Sequence, residues 1–241
     1  MEDKENIRKN KWVYIFELLT PKILFIFFIS FISLTSLVIL IKAISYKDEL
    51  AFDNKVFTYL AQHVSDRNSD IMKFFTLFGS HKFLIPAWFV VFAWYFFIRK
   101  NKWYFVKMFI IAASNLLLMF GLKFLFSRQR PLIPLFNEVS GLSFPSGHAF
   151  MSLVFFGLNI YYIYKYSKNS WLKLLLITFG VIMIFMIGLS RVYLRLHYVT
   201  DVLAGYCFGI LSLVIHLWML KRVEKLYIPS RAEYLSSNKG N

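Results

Sequence analysis

Six apolar stretches constrain this 241-residue chain more than any other feature. The hydrocarbon core of a bilayer is ~30 Å thick and a helix rises ~1.5 Å per residue, so one span takes about 20 predominantly apolar residues. The stretches lie at about 23–43, 82–98, 104–123, 148–165, 172–190 and 199–220. Within lipid, each backbone N–H and C=O must find its partner in the protein, which restricts spanning segments to helices or closed barrels. Apolar runs this long predict an all-α integral-membrane bundle of six transmembrane helices. The second run, FLIPAWFVVFAWYFFI, is short and places Pro86 within its first turns. The first, ILFIFFISFISLTSLVILI, is longer than a signal-peptide core of about 7–15 residues, and no small-residue cleavage site follows it.

The net charge of +15 could suggest nucleic acid. Lys and Arg, however, fall between and beside the apolar runs and do not gather on one soluble domain. That distribution excludes a nucleic-acid-binding module and fits membrane topology with anionic headgroups. An even number of spans puts both termini on one side. Lys4, Arg8, Lys9, Lys11 and Lys22 share that side with Arg99, Lys100, Lys102, Lys165, Lys168, Lys173, Lys221, Arg222 and Lys225. The positive-inside rule makes it the cytoplasm.

The expected organisation is a cytoplasmic segment at 1–22, a membrane domain at 23–222 and a loose cytoplasmic tail at 223–241. The external connection at 44–81 has two apolar stripes: Phe52, Val56, Leu60 and Val64, then Ile71, Phe74, Phe75 and Phe78. They predict two short amphipathic helices lying on the membrane surface or roofing the bundle, as a packing lid or a guide for substrate. Cys207 is the single cysteine, so no intramolecular disulfide forms, and no Cys/His spacing suits a metal. No cofactor is expected.

The remaining polar residues concentrate in the other two external connections, about 124–147 and 191–198, and at their edges. KFLFSRQRP holds Lys123 and Arg130, with Arg128 as an alternative cation. Alone, these are equally a snorkelling lysine and a loop arginine. In FPSGH, Ser146 is either the N-cap of the fourth helix or an anion ligand. A helix N-terminus offers unpaired N–H groups, and Gly147 lets backbone approach an anion. His148 follows in the first turn. In SRVYLRLHYVTD, His197 and Asp201 are four apart and share a helix face, where a carboxylate can hold an imidazole in one tautomer. Together these segments place three cations (Lys123, Arg130, Arg191), a helix N-terminus, two histidines and a carboxylate on one membrane face, a combination suited to phosphate.

The three segments resemble the signature motifs of the type 2 phosphatidic acid phosphatase superfamily: KxxxxxxRP, PSGH and SRxxxxxHxxxD. Here they read KFLFSRQRP (123–131), PSGH (145–148) and SRVYLRLHYVTD (190–201), matching at every specified position. The resemblance implies an integral-membrane lipid phosphatase. His197 would be the nucleophile forming a phosphohistidine, Asp201 its orienting partner and His148 the acid for the leaving oxygen. Lys123, Arg130, Ser146, Gly147 and Arg191 would bind the phosphoryl oxygens, with Ser190 bonding within the site.

The resemblance further implies activity without metal, in a bacterial plasma membrane. The external site would act on undecaprenyl pyrophosphate, phosphatidylglycerol phosphate or phosphatidic acid. A phosphotransferase would use the same motifs; a transporter would instead carry charges at mid-membrane. His63 and His81 match no motif and are expected at the external surface or in loops, and His216 as a packed or hydrogen-bonded span residue. The oligomeric state is not encoded in these features.

Overall fold

A computed structural model describes residues 20–46, 51–98, 102–135 and 141–237. Among them there is no strand, and helices occupy all six apolar stretches. Helix α1 (Pro21–Tyr46) starts on a proline, whose missing N–H would have had no intrahelical acceptor. Helices α2 (Ala51–Ala61) and α3 (Asp66–Phe78) follow, then α4 (His81–Ala93), which continues as a π-helical turn, Trp94–Ile98. The remaining helices are α5 (Lys102–Phe126), α6 (Gly147–Tyr166), α7 (Ser170–Tyr193) and α8 (Val199–Ser237).

Four helices, α1, α5, α7 and α8, are long and apolar enough to cross a membrane. Helices α3 and α4, bent by 42° at their junction, meet that measure only as a pair, which raises the number to five. The chain is a multi-pass membrane protein. Helix α6, the fourth predicted span, differs in kind: it packs on α4, α5, α7 and α8, and eight of its residues are buried, Ser152 among them. A helix sheathed by protein needs less apolarity than one facing lipid. Helix α1 shows the opposite pattern, with Phe25, Phe27, Phe28 and Phe31 all exposed on its surface. The segment 223–237, expected to be loose, continues α8 as helix, since extending a formed helix costs far less than starting one.

The segment 44–81, expected to carry two amphipathic surface helices, holds α2 and α3 among its described residues, but α3 pairs with α4 as one bent element and the burial of both differs from the stripes. In α2, Val56 and Leu60 pack inward, whereas Phe52 is 53% exposed and Asp53 is fully buried. In α3, Phe75 and Phe78 reach the main core, and the one fully buried residue is Thr76. Both helices bury a polar side chain most deeply, and both of those side chains lead to the site.

The main core joins α4, α5, α6 and α7 through Trp88, Phe92, Ile111, Phe150, Phe155 and Ile187. Helix α8 crosses the start of α6 at Gly205, where a Cβ would come within 2.8 Å of the Ser146 carbonyl oxygen. Only glycine permits that approach. His216 is a hydrogen-bonded span residue, with Nε2 2.7 Å from Ser114 Oγ and Nδ1 3.1 Å from Ser212 Oγ. Ser212 also donates to Asn115 Oδ1 at 2.5 Å, so the cluster ties α5 to α8.

Candidate active site

The last turn of α5 supplies Lys123, whose Nζ donates to the Leu142 carbonyl at 2.6 Å. Beyond α5 the chain turns at Ser127 (φ 47°) and presents two arginines with different duties. Arg130 faces the imidazole of His197. Its Nε donates to Gly141 O at 2.9 Å and its Nη1 to Leu196 O at 2.8 Å, which leaves Nη1 3.4 Å from His197 Nε2. Arg128 turns away into a buried ion-pair cluster with Asp53 and Asp201.

Ser146 stands at the N-cap position of α6, yet its side chain makes no capping bond. Its hydroxyl is buried without a hydrogen-bond partner, while its N–H donates to Asp201 O at 3.0 Å. A buried hydroxyl left unpaired costs about 1–3 kcal/mol, a cost that an oxygen or nitrogen partner brought to it would remove. Gly147 and His148 occupy the first turn of α6, whose N–H groups have no intrahelical acceptors. Gly79, at the α3–α4 bend, makes room for His148: a Cβ there would lie 3.1 Å from the imidazole Cδ2 and 2.5 Å from Ile187 Cγ2.

Arg191 and His197 are brought together by the end of α7. Leu196 N donates to Arg191 O and Arg195 N to Val192 O, both at 3.0 Å, with Arg195 left-handed at φ 53°. This is a Schellman ending in which arginine takes the position usually given to glycine. His197 N adds a 3.2 Å bond to the same Arg191 carbonyl. Arg191 Nη1 donates to Thr76 Oγ1 at 2.7 Å, and its buried Nε has no partner. Ser190, expected within the site, instead donates to Ile187 O in its own helix at 2.6 Å.

Asp201 sits in the first turn of α8 and reaches back to accept from Tyr198 N at 3.0 Å, the acidic half of a capping box. Its Oδ2 lies 3.5 Å from His197 Nδ1, and Ser143 joins the two. Ser143 Oγ donates to Asp201 Oδ2 at 2.5 Å and lies 3.3 Å from His197 Nδ1. Asp201 Oδ1 accepts from Arg128 Nη1 at 2.6 Å.

Lys123, Arg130, Gly147, His148, Arg191 and His197 close one end of a 620 Å³ cavity. Its walls are otherwise apolar, from α4 (Leu84, Ile85, Trp88, Phe89) and α5 (Ala112, Ala113, Leu116, Phe120). Ile85, Phe89, Leu116 and Phe120, which line it, are all exposed, so the cavity is open and not sealed within the core. His81, expected at the surface, is exposed and lines this cavity as well.

Among the described residues, none of Lys123, Arg130 and Arg191 lies within salt-bridge distance of a carboxylate. Their charge is available to an anion. Burial, then the nearby charges of Arg191, Arg130 and Lys123, hold the His197 imidazole well below its ordinary pKa of 6.5, while a hydrogen bond involving Ser143 works the other way. Burial and these cations favour the neutral imidazole. Burial also lowers the Arg130 guanidinium, with Asp201 opposing.

All eight predicted site residues meet here. Sequence reading missed Ser143, Thr76, Thr200 and Asp53, and took Arg128 for a stand-in for Arg130. Arg128 carried a signal, a second arginine in the same motif. Asp53 carried a weaker one, an acid within an apolar helix stripe. Ser143, Thr76 and Thr200 look like ordinary polar residues until the chain folds.

A family model described as the PAP2 superfamily matches residues 103–225, which include all eight. Phosphatidylglycerophosphatase B of Bacillus subtilis (strain 168) is 36% identical over 148 residues, covering 59% of this chain and 70% of that protein. Bacitracin transport permease protein BcrC of Bacillus licheniformis is 29% identical over 102 residues, 37% of this chain and 45% of its own. The crystal structure of a transmembrane PAP2-type phosphatidylglycerolphosphate phosphatase from Bacillus subtilis superposes with a TM-score of 0.71 at 26% identity, covering 82% of this chain and 96% of that one. Aquifex aeolicus LpxE shares the fold, with a TM-score of 0.55 at 23% identity over 71% of this chain and 98% of its own.

Proposed function

This chain belongs to the PAP2 superfamily of phosphatases, and from that premise we propose that it hydrolyses the terminal phosphate of a membrane lipid through a phosphohistidine at His197. The observation that carries the reading is the pairing of opposites in one cavity: three cations without a carboxylate partner at one end, an apolar slot along the rest. A lipid phosphate has the same polarity pattern. The sequence similarity to phosphatidylglycerophosphatase B supports phosphatidylglycerol phosphate among the candidate substrates.

The residues divide the work as follows. Lys123, Arg130, Arg191, the Ser146 hydroxyl and the Gly147 N–H bind the equatorial oxygens, where transition-state charge spreads. His197 Nε2 attacks phosphorus while the bond to the lipid oxygen breaks, and His148 gives that oxygen its proton. The imidazole carries positive charge in the intermediate, and Asp201 stabilises it. His148 then takes a proton from water, the water oxygen attacks phosphorus, and the N–P bond breaks to free phosphate and restore His197. Fixed cations supply the charge that Mg²⁺ supplies in many phosphoryl transfers.

The distribution of Lys and Arg supports an external site with cytoplasmic termini, reached by lipids of the outer leaflet. A reporter fused after about residue 137 should read as external; a cytoplasmic signal overturns this orientation. The chemical test is acid-free quenching of the purified protein during turnover of radiolabelled phosphatidic acid. It should trap an alkali-stable, acid-labile phosphoprotein that His197→Ala lacks. A phosphoprotein of equal yield in that variant would refute the assignment.

A further inference from the structure

The first external helix ends in the catalytic machinery. Asp53 on α2 is fully buried and receives three donors. Thr200 N donates to Oδ1 at 3.0 Å, Thr200 Oγ1 to Oδ2 at 2.8 Å and Arg128 Nη2 to Oδ2 at 3.1 Å. The same guanidinium uses Nη1 to hold Asp201 Oδ1 at 2.6 Å and Thr200 Oγ1 at 2.8 Å. It also stacks 4.1 Å above the Tyr198 ring, which lies 5.8 Å from the ring of Phe57. Asp53 and Phe57 are one turn apart, so one face of α2 grips both the charge and the ring of this cluster.

We infer that Asp53 is a positioning residue: through Arg128 and Thr200 it orients the Asp201 carboxylate, and through Asp201 and Ser143 the imidazole of His197. The inference rests on the reading of His197 as nucleophile and deepens it.

Two arguments separate this role from simple adhesion of α2. First, holding a helix down does not call for charge. Val56, Leu60 and Phe57 already pack against the bundle, and a buried ion triad usually contributes less to stability than apolar residues of the same volume. What the triad supplies is geometry. Arg128 engages Asp201 Oδ1, which reserves Oδ2 for Ser143, Tyr198 N and the imidazole.

Second, the charges sum usefully. Within the triad, two carboxylates and one guanidinium leave one negative charge on the Nδ1 side of His197, away from the cations on its Nε2 side, and it faces the positive charge the ring carries when phosphorylated. Without Asp53, Arg128 would neutralise Asp201 alone. Helix α2 is in this view part of the active site, although Asp53 touches no substrate.

The test measures initial phosphate release from phosphatidic acid in mixed micelles by the purified full chain. Wild type is compared with Asp53→Asn, Asp201→Asn, the double variant and His197→Ala. A folded Asp53→Asn, judged by unchanged gel filtration, should lose about 10–100-fold in kcat with KM held within about two-fold. Acting through Asp201, it should cost nothing further in the Asp201→Asn background. Near-wild-type kcat, a loss confined to KM, or an undiminished further loss in the double variant would each overturn the inference.

If Asp53→Asn does not fold, Thr200→Val removes the bridging hydroxyl and leaves every charge in place. It should lower kcat at least about five-fold with KM unchanged, and an unchanged kcat overturns the inference. An inactive His197→Ala beside a fully active Asp53→Asn refutes the brace alone. An active His197→Ala refutes the reading beneath it.

Discussion

Ser143 Oγ donates to Asp201 Oδ2 at 2.5 Å and itself lies 3.3 Å from His197 Nδ1. Its one proton is committed to the carboxylate, so toward the imidazole Ser143 can only accept. Nδ1 therefore carries the ring proton and Nε2 presents its lone pair to the cavity. Ser143→Ala should lower kcat about ten-fold with little change in KM, because the lost bond orients the nucleophile without binding substrate. Steady-state kinetics on phosphatidic acid checks the split, and a pure KM effect would contradict it.

His148 lies in the first turn of α6, beside the same cavity end. His148→Ala should slow hydrolysis of an alkyl phosphate by about 10²–10⁴-fold, the usual worth of a general acid. An aryl phosphate, whose leaving oxygen needs no proton, should lose far less in phosphohistidine formation. Burst kinetics on p-nitrophenyl phosphate measures that step. An equal loss on both substrates would assign His148 to binding.

Burial and three neighbouring cations depress the pKa of His197. The nucleophile must be neutral, and a depressed value keeps it neutral as pH falls through 6.5. After correction for substrate ionisation, the acidic limb of kcat/KM should lie well below that pH. A limb at or above pH 6.5 would show the imidazole protonated where this geometry keeps it free.

Ala113 lines the apolar slot between α4 and α5. Ala113→Trp should fill part of the 620 Å³ cavity and raise KM for a long-chain lipid phosphate about ten-fold or more. A water-soluble ester, which needs only the polar end, should be hydrolysed at close to the wild-type rate. Equal losses on both would place the lipid chain elsewhere.

With Lys123, Arg130 and Arg191 supplying positive charge, activity should persist in EDTA. Vanadate, which adopts the trigonal-bipyramidal geometry of the transferring phosphoryl group, should inhibit competitively. Loss on chelation with recovery on adding Mg²⁺ would overturn the division of labour proposed for the site.

Much of this molecule was legible before folding. The positions of the helices follow from local sequence, because a bilayer obliges each segment to satisfy its own backbone. The motif residues were legible for a related reason: Lys123, Ser146, Gly147, His148, Arg191, His197 and Asp201 all sit at or just beyond helix ends, which the apolar runs locate. The stripe on α2 was less informative. Its periodicity announced a helix, but Phe52 faces outward and Asp53 inward, because a carboxylate with three donors is better buried than a phenylalanine that lipid or headgroups can solvate.

By itself, then, the sequence determined an all-helical membrane chain with cations, histidines and an acid gathered at its helix ends, since both rest on short-range spacing. Only the tertiary structure decided which arginine faces His197 and which pairs with Asp53 and Asp201. It alone joined Asp53 to Thr200 across 147 residues, Arg128 to Asp201 across 73 and Arg191 to Thr76 across 115. Such partners are selected by the energy of burying polar groups together, a quantity that exists only once the helices have packed.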